Sequence, residues 1–209
     1  MGRNHRRDRD RRPSRSSPHR TPGAKILVAC EGSKTERQYL EQFGVHFRNP
    51  RIKVRIHPDK GPPLSVVRFA AQEKRNAEEE ARRRNDDYLR FDSVWCVFDI
   101  DDHQRLEEAK ALARSQDVNL AICNPCFELW LLLHHEDFRK SEMREHVIRR
   151  LRNHVPGYNK KVDFDAYQDG YQAAVDRASK LDQLADQDND PGRNPTTGVY
   201  KLTELIRLK

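Results

Sequence analysis

The sequence predicts an α/β domain: a mostly parallel sheet of about four strands flanked by helices, with a helical C-terminal third. Three observations predict it. Short apolar runs rich in strand formers alternate with longer stretches of helical periodicity. The runs ILVAC (26–30) and VWCVF (94–98) are apolar throughout, as in strands covered on both faces of a parallel sheet. Beyond about residue 135 no such run recurs, and the apolar residues fall at helical spacing.

The elements follow in order. KILVAC (25–30) is the first strand, ending at Glu31-Gly32. Ser33 and Glu36 have the S-x-x-E spacing of a capping box, which satisfies orphan amides at a helix start, and Tyr39, Leu40 and Phe43 face inward from that helix. RIKVRIH (51–57) alternates, with Ile52, Val54 and Ile56 on one side of a half-exposed strand. The loop PDKGPP leads to a long helix from Leu64 to about Arg84, apolar at its start and charged toward its end. The strand at 94–98 precedes a helix from about Gln104 to Ser115, with Leu106, Ala109, Leu112 and Ala113 on one side. VNLAIC (118–123) is a fourth strand, and PCFELWLLLHH (125–135) is a helix too apolar for a surface. Val147, Ile148 and Leu151 form one later stripe; Tyr171, Ala174, Val175, Ala178, Leu181 and Leu184 form another. Thr196 or Thr197 caps a last helix carrying Val199, Leu202, Leu205 and Ile206. There is no internal repeat.

Charge divides the chain. Of the formal net charge of +7, six units belong to residues 1–22, where eight arginines stand against two aspartates. That segment has too little apolar surface to fold, so the reading is a disordered Arg-rich tail (1–22) and one domain (23–209). The tail can help hold RNA or DNA by phosphate attraction, or simply aid solubility. No apolar run approaches the roughly 20 residues of a membrane span. No hydrophobic stretch near the N-terminus suggests a secretory signal, so a cytoplasmic location is expected.

The acids carry the chemical argument. Ligands of open α/β sheets bind outside the carboxyl ends of the strands. Two strands end there in acid: ILVAC at Glu31, and VWCVF at Asp99, Asp101 and Asp102. In extended chain, residues i and i+2 point the same way, so Asp99 and Asp101 reach toward one point while Asp102 is left to cap the next helix. If the two strands are neighbours, Glu31 joins the pair. Carboxylates so crowded repel one another, and a hard divalent cation such as Mg²⁺ or Mn²⁺ relieves them. A single acid at a strand end is ordinarily a cap or a solvated residue; the coincidence of Glu31 with Asp99-x-Asp101 argues for a site.

A Glu after the first strand and a D-x-D after a later one resemble the Toprim fold of topoisomerases, primases and OLD-type nucleases. The closer resemblance is to the RloB-like family, carried by EGSKTERQYL (31–40), VFDIDDH (97–103), NPCFELWLLLHH (124–135) and, more weakly, NPTTGVYKL (194–202). The resemblance implies a metal-dependent nuclease of bacterial anti-phage or abortive-infection defence, often working beside an AAA-type ATPase. It maps Glu31, Asp99 and Asp101 to the Toprim acids, with Mg²⁺ or Mn²⁺ as cofactor and RNA or DNA as substrate. Glu128, at the start of the helix after the fourth strand, is either a further acid of the site or a stabiliser of that helix's first turn. Lys160 in GYNKK (157–161) is either an electrophile for developing phosphate charge or a solvated lysine. His103 is either an orienting partner of an aspartate or a surface histidine, and Lys60 is a weaker candidate. Strand passage and primer synthesis need further domains for which a single domain of this size has no room, so hydrolysis fits best.

Two other readings stand beside this one. Cys123-Asn-Pro-Cys126 between a strand and a helix is the arrangement by which thiol oxidoreductases depress a thiol pKa, yet it leaves the acids unexplained. The domain can also be a non-catalytic metal- or nucleotide-binding regulator of an ATPase partner, since fold analogy alone does not establish turnover.

Overall fold

The computed structural model describes residues 24–32, 34–56, 62–100 and 105–208. The Arg-rich tail, Ser33, Lys60, Asp101, Asp102 and His103 lie outside the described residues. Among those described, five strands form one sheet, β1 (Ile26–Cys30), β2 (Ile52–Ile56), β3 (Ser93–Asp99), β4 (Asn119–Asn124) and β5 (Thr196–Thr197), in the order β2-β1-β3-β4-β5. β1 pairs in parallel with both β2 and β3, and β3 in parallel with β4; β5 alone runs antiparallel. The helices are α1 (Thr35–His46), α2 (Pro63–Arg84), α3 (Leu106–Ser115), α4 (Glu128–Leu133), α5 (Arg144–His154), α6 (Tyr171–Gln187) and α7 (Val199–Leu208).

The unbroken apolar character of β1 follows from its place. A strand with a parallel partner on each side and helices on both faces buries every side chain, and all five of its residues are buried. Alternation sorts them. Ile26, Val28 and Cys30 join the core on one face, with Trp95 and Val97 of β3 and the aromatic residues of α1, α4 and α6. Leu27 and Ala29 join the other, with Val94, Cys96 and Phe98 and the aliphatic residues of α2 and α3. Ile52 and Val54 of β2, the partly covered sheet edge, pack on the first core.

Two expectations need correction. The sheet has five strands rather than about four, because Thr196 and Thr197 pair with Asn124 and Cys123 instead of serving only as a cap. Thr197 does both: its hydroxyl also accepts from the Val199 N–H at 3.4 Å. The apolar helix expected over 125–135 is confined to Glu128–Leu133, where all six residues are buried. The expected capping pair of Ser33 and Glu36 falls partly outside the described residues, since Ser33 is not among them; α1 starts at Thr35, and its N-cap Lys34 makes no side-chain bond.

Candidate functional site

The strand order reverses between β1 and β3. β1 connects toward β2 on one side while β3 and β4 extend the sheet on the other, so the crevice at the carboxyl ends of β1 and β3 is the topological switch point. Glu31 and Asp99 sit there. The register pairs Cys30 with Val97, and the Glu31 N–H donates to the Val97 carbonyl at 3.2 Å, so the two acid-tipped strands run side by side. Asp99 shares the parity of Trp95 and Val97, which directs it to the face that α5 covers.

A cavity of about 360 Å³ opens at this point. Its walls bring together four carboxylates, Glu31, Glu36, Asp99 and Glu128, and three cations, Lys34, Arg144 and Lys160, with Gly32, Thr35 and Ile148 completing the lining. Of the residues expected from sequence, Glu31, Asp99, Glu128 and Lys160 are therefore in one cavity. Asp101 lies outside the described residues, as does His103.

Each acid is held differently. The Asp99 carboxylate accepts from Arg144 Nη2 at 2.5 Å, so the first residue of α5 supplies its counter-charge. Glu128, at the start of α4, is buried and accepts from the Tyr158 hydroxyl at 3.0 Å. That hydroxyl also lies 3.4 Å from Thr35 Oγ1, linking α4 to the start of α1. Glu36 is nearly buried, and its carboxyl pKa is raised, first by burial and then by the charges of Glu128 and Glu31; Lys160 acts in the opposite sense. The chain passes Glu36 closely at Gly32, where a Cβ would fall 2.1 Å from Glu36 Oε1. Glycine at 32 is thus what leaves room for that carboxylate.

The oxygen donors and the mutual repulsion felt by Glu36 suit a hard divalent cation in chemical kind. Among the described residues, however, no three His, Cys, Asp or Glu side chains gather closely enough to hold a metal ion. The third acid of the expected set, Asp101, is two residues beyond Asp99.

Sequence reasoning missed Glu36, Arg144 and Tyr158 as parts of the site. Glu36 had a local signal, a second acid five residues after Glu31 on the first turn of a helix, but the capping spacing absorbed it. Arg144 lies 45 residues from Asp99 in the chain, with no local pattern to connect them. The cysteines go against the redox reading. Cys123 and Cys126 are fully buried and burial pushes both thiols well up, where catalysis requires a depressed pKa. Cys123 Sγ instead lies 3.3 Å from Thr197 Oγ1, at the β4–β5 pairing.

Comparison with known proteins gives one finding of kinship. The family model described as RloB-like protein matches residues 26–206, nearly all of the chain outside the arginine-rich segment. No curated protein and no solved structure matches. Among the described residues, no helix is long and apolar enough to cross a membrane.

Proposed function

The chain belongs to the RloB-like family, and on that premise we propose that its acidic cavity is the active site of a divalent-cation-dependent nuclease hydrolysing phosphodiesters of RNA or DNA. The observation that carries this reading is the pairing of β1 with β3, which sets Glu31 beside Asp99 at the switch point of the sheet. Glu31 and Asp99, with Asp101, are the residues that would hold Mg²⁺ or Mn²⁺; such a cation, when bound, supplies charge neutralisation for the phosphodiester. The chain's own groups do the rest. Lys160, Lys34 and Arg144 ring the carboxylates with positive charge and attract a phosphate that the acids alone would repel. Arg144 serves Asp99 as counter-ion and offers a planar guanidinium suited to phosphate oxygens. Glu36 retains its proton to higher pH than an ordinary glutamate, which fits it to protonate a departing oxygen. The resemblance to Toprim nucleases and the association with defence loci extend the proposal to an anti-phage effector acting with an AAA-type ATPase.

A second reading has one observation in its favour. The ion pair between Asp99 and Arg144 already neutralises one of the acids, as it would in a regulatory domain that binds no cation. Cleavage of labelled RNA and DNA in Mg²⁺ or Mn²⁺ by wild type, Glu31→Gln and Asp99→Asn separates the two. The nuclease reading expects a loss of about 100-fold or more in each variant, with thermal unfolding little changed. Equal cleavage by all three proteins would trace the activity to a contaminant and remove the nuclease reading; no cleavage by any of them, with an ATPase partner present, would favour the regulator.

A further inference from the structure

One side of α1 faces residues 160–164, most of which lie in no strand or helix. Thr35, Gln38 and Gln42, spaced three and four residues apart, lie on one side of the helix. All three bond the backbone of residues 160–164. The Thr35 hydroxyl donates to the Lys160 carbonyl at 3.4 Å. The Val162 N–H donates to Gln38 Oε1 and the Val162 carbonyl accepts from Gln42 Nε2, both at 2.9 Å. The Phe164 N–H then donates to Gln42 Oε1, also at 2.9 Å. Residues 162 and 164 thus meet α1 at the alternation of a strand, with glutamine side chains in place of the missing ladder. The Val162 and Phe164 side chains are buried beneath them.

The segment is fixed at its other end too, through the Tyr158 hydroxyl on Glu128. Between these anchors Lys160 has φ +71°, a left-handed conformation that costs a residue with a side chain about 1 kcal/mol or more. The turn it makes brings Lys160 to the cavity wall beside the acids. A conformation this unfavourable persists only where surrounding bonds impose it; here they come from α1 on one side and, at Tyr158, from Glu128 of α4 and Arg152 of α5 on the other.

We infer that residues 158–164 form a substrate strap that presents Lys160 to a phosphate group of the nucleic acid, and that Gln38 and Gln42 are the positioning residues that fix the strap over the cavity. The inference rests on the nuclease reading above. It accounts for the choice of glutamine: Gln42 uses both ends of its amide, donating to one backbone group and accepting from another, whereas Gln38, among the described residues, uses only its oxygen. A carboxylate can therefore replace Gln38 but not Gln42.

The test uses the full chain and two readouts: amide hydrogen exchange at Val162 and Phe164, and kcat and KM for metal-dependent cleavage of labelled RNA and DNA oligonucleotides. Lys160→Ala lowers kcat/KM by about tenfold or more, as loss of a charge at a reacting phosphate does. Gln42→Ala and Gln42→Glu speed exchange at Phe164 and lower kcat/KM in the same direction. Neither adds to the loss when combined with Lys160→Ala. Gln38→Ala speeds exchange at Val162, and Gln38→Glu restores both readouts. Should Gln42→Ala fail to fold, the Gln38→Ala and Gln38→Glu pair decides alone. Faster exchange with wild-type kcat/KM, or losses that multiply in the double variants, would overturn the strap while leaving the nuclease reading intact. A wild type that cleaves neither nucleic acid ends both.

Discussion

The two faces of the sheet are built on different principles. Behind α2 and α3 the core is aliphatic and small, made of Leu27, Ala29, Leu64, Val66, Val67, Ala70, Ala71 and their neighbours. Behind α1 and α4–α7 it is aromatic and threaded with polar bonds: Tyr39 stacks or makes edge contacts with Phe43, Phe127, Trp130 and Phe164, and its hydroxyl reaches His134. Every helix residue that lines the acidic cavity comes from this second face: Thr35 and Glu36 of α1, Glu128 of α4, Arg144 and Ile148 of α5. Apolar packing is non-directional, so it stabilises a sheet without fixing where a side chain points. Hydrogen bonds have geometry, and the face that lines the acidic cavity is the one whose aromatic core is threaded with them.

Adjacent residues of β3 give the largest test of that division. Phe98 is buried in the aliphatic face, while Asp99 enters the cavity on the other. Phe98→Ala is expected to cost about 3–5 kcal/mol of stability, the usual range for removing a buried aromatic side chain. Denaturant unfolding measures it, and the fraction that remains folded should cleave at the wild-type rate. Asp99→Asn should show the reverse: near-normal stability and lost cleavage. A Phe98→Ala protein that is stable but inactive would mean that the two faces are not separable.

His134 gives the next largest effect. Its Nδ1 lies 2.8 Å from the Tyr167 carbonyl, which only accepts, so Nδ1 carries the proton and Nε2 is left to accept from the Tyr39 hydroxyl at 3.1 Å. Burial lowers the pKa of this imidazole to about 3. The folded pKa lies below the unfolded value of about 6.5, so between them the unfolded chain binds the extra proton. The stabilisation is complete above about pH 6.5 and is lost as pH falls toward 3, at up to about 1.4 kcal/mol per pH unit. Urea midpoints measured between pH 7 and 4 should fall more steeply for wild type than for His134→Gln. Parallel curves would show that the aromatic face tolerates a charged imidazole. The aliphatic face offers no equivalent, since the one ionisable group in its described core is the Cys96 thiol, which burial holds neutral.

The aliphatic face was also the more legible one in sequence. Period and residue type sufficed for α2, α3 and the strands they cover, because burial against a sheet imposes a repeat on the chain. The acid-tipped strands were legible for the same reason, since Glu31 and Asp99 end runs that only a buried strand explains. Bonds across long sequence separation left no repeat to read. Arg144 on Asp99, Tyr158 on Glu128 and Gln42 on Val162 span 45, 30 and 120 positions. β5 was missed because two residues are too few to show alternation, and their threonines also match a cap. Glu36 is ambiguous in sequence, because a capping spacing and a site acid look alike until the start of the helix is known.

The smallest expected change in stability comes at Gly32. A Cβ there would meet Glu36 Oε1 and Oε2 at 2.1 and 2.2 Å, too close for both groups to stay. What it meets is the mobile end of a long side chain, so the backbone can keep its place while the carboxylate swings away. Gly32→Ala should therefore change stability by less than about 1 kcal/mol, since a substitution with alanine also restricts the unfolded chain. Cleavage should nevertheless fall, because Glu36 leaves its place in the cavity it shares with Glu31 and Glu128. Combined with Glu36→Gln, the Gly32→Ala change should add nothing to the loss from Glu36→Gln alone. If it adds a further loss, the glycine serves the backbone turn after β1 rather than the carboxylate. If Gly32→Ala unfolds the protein, even the turn that carries Glu31 depends on packing of the aliphatic kind, and the division between the faces fails at the site itself.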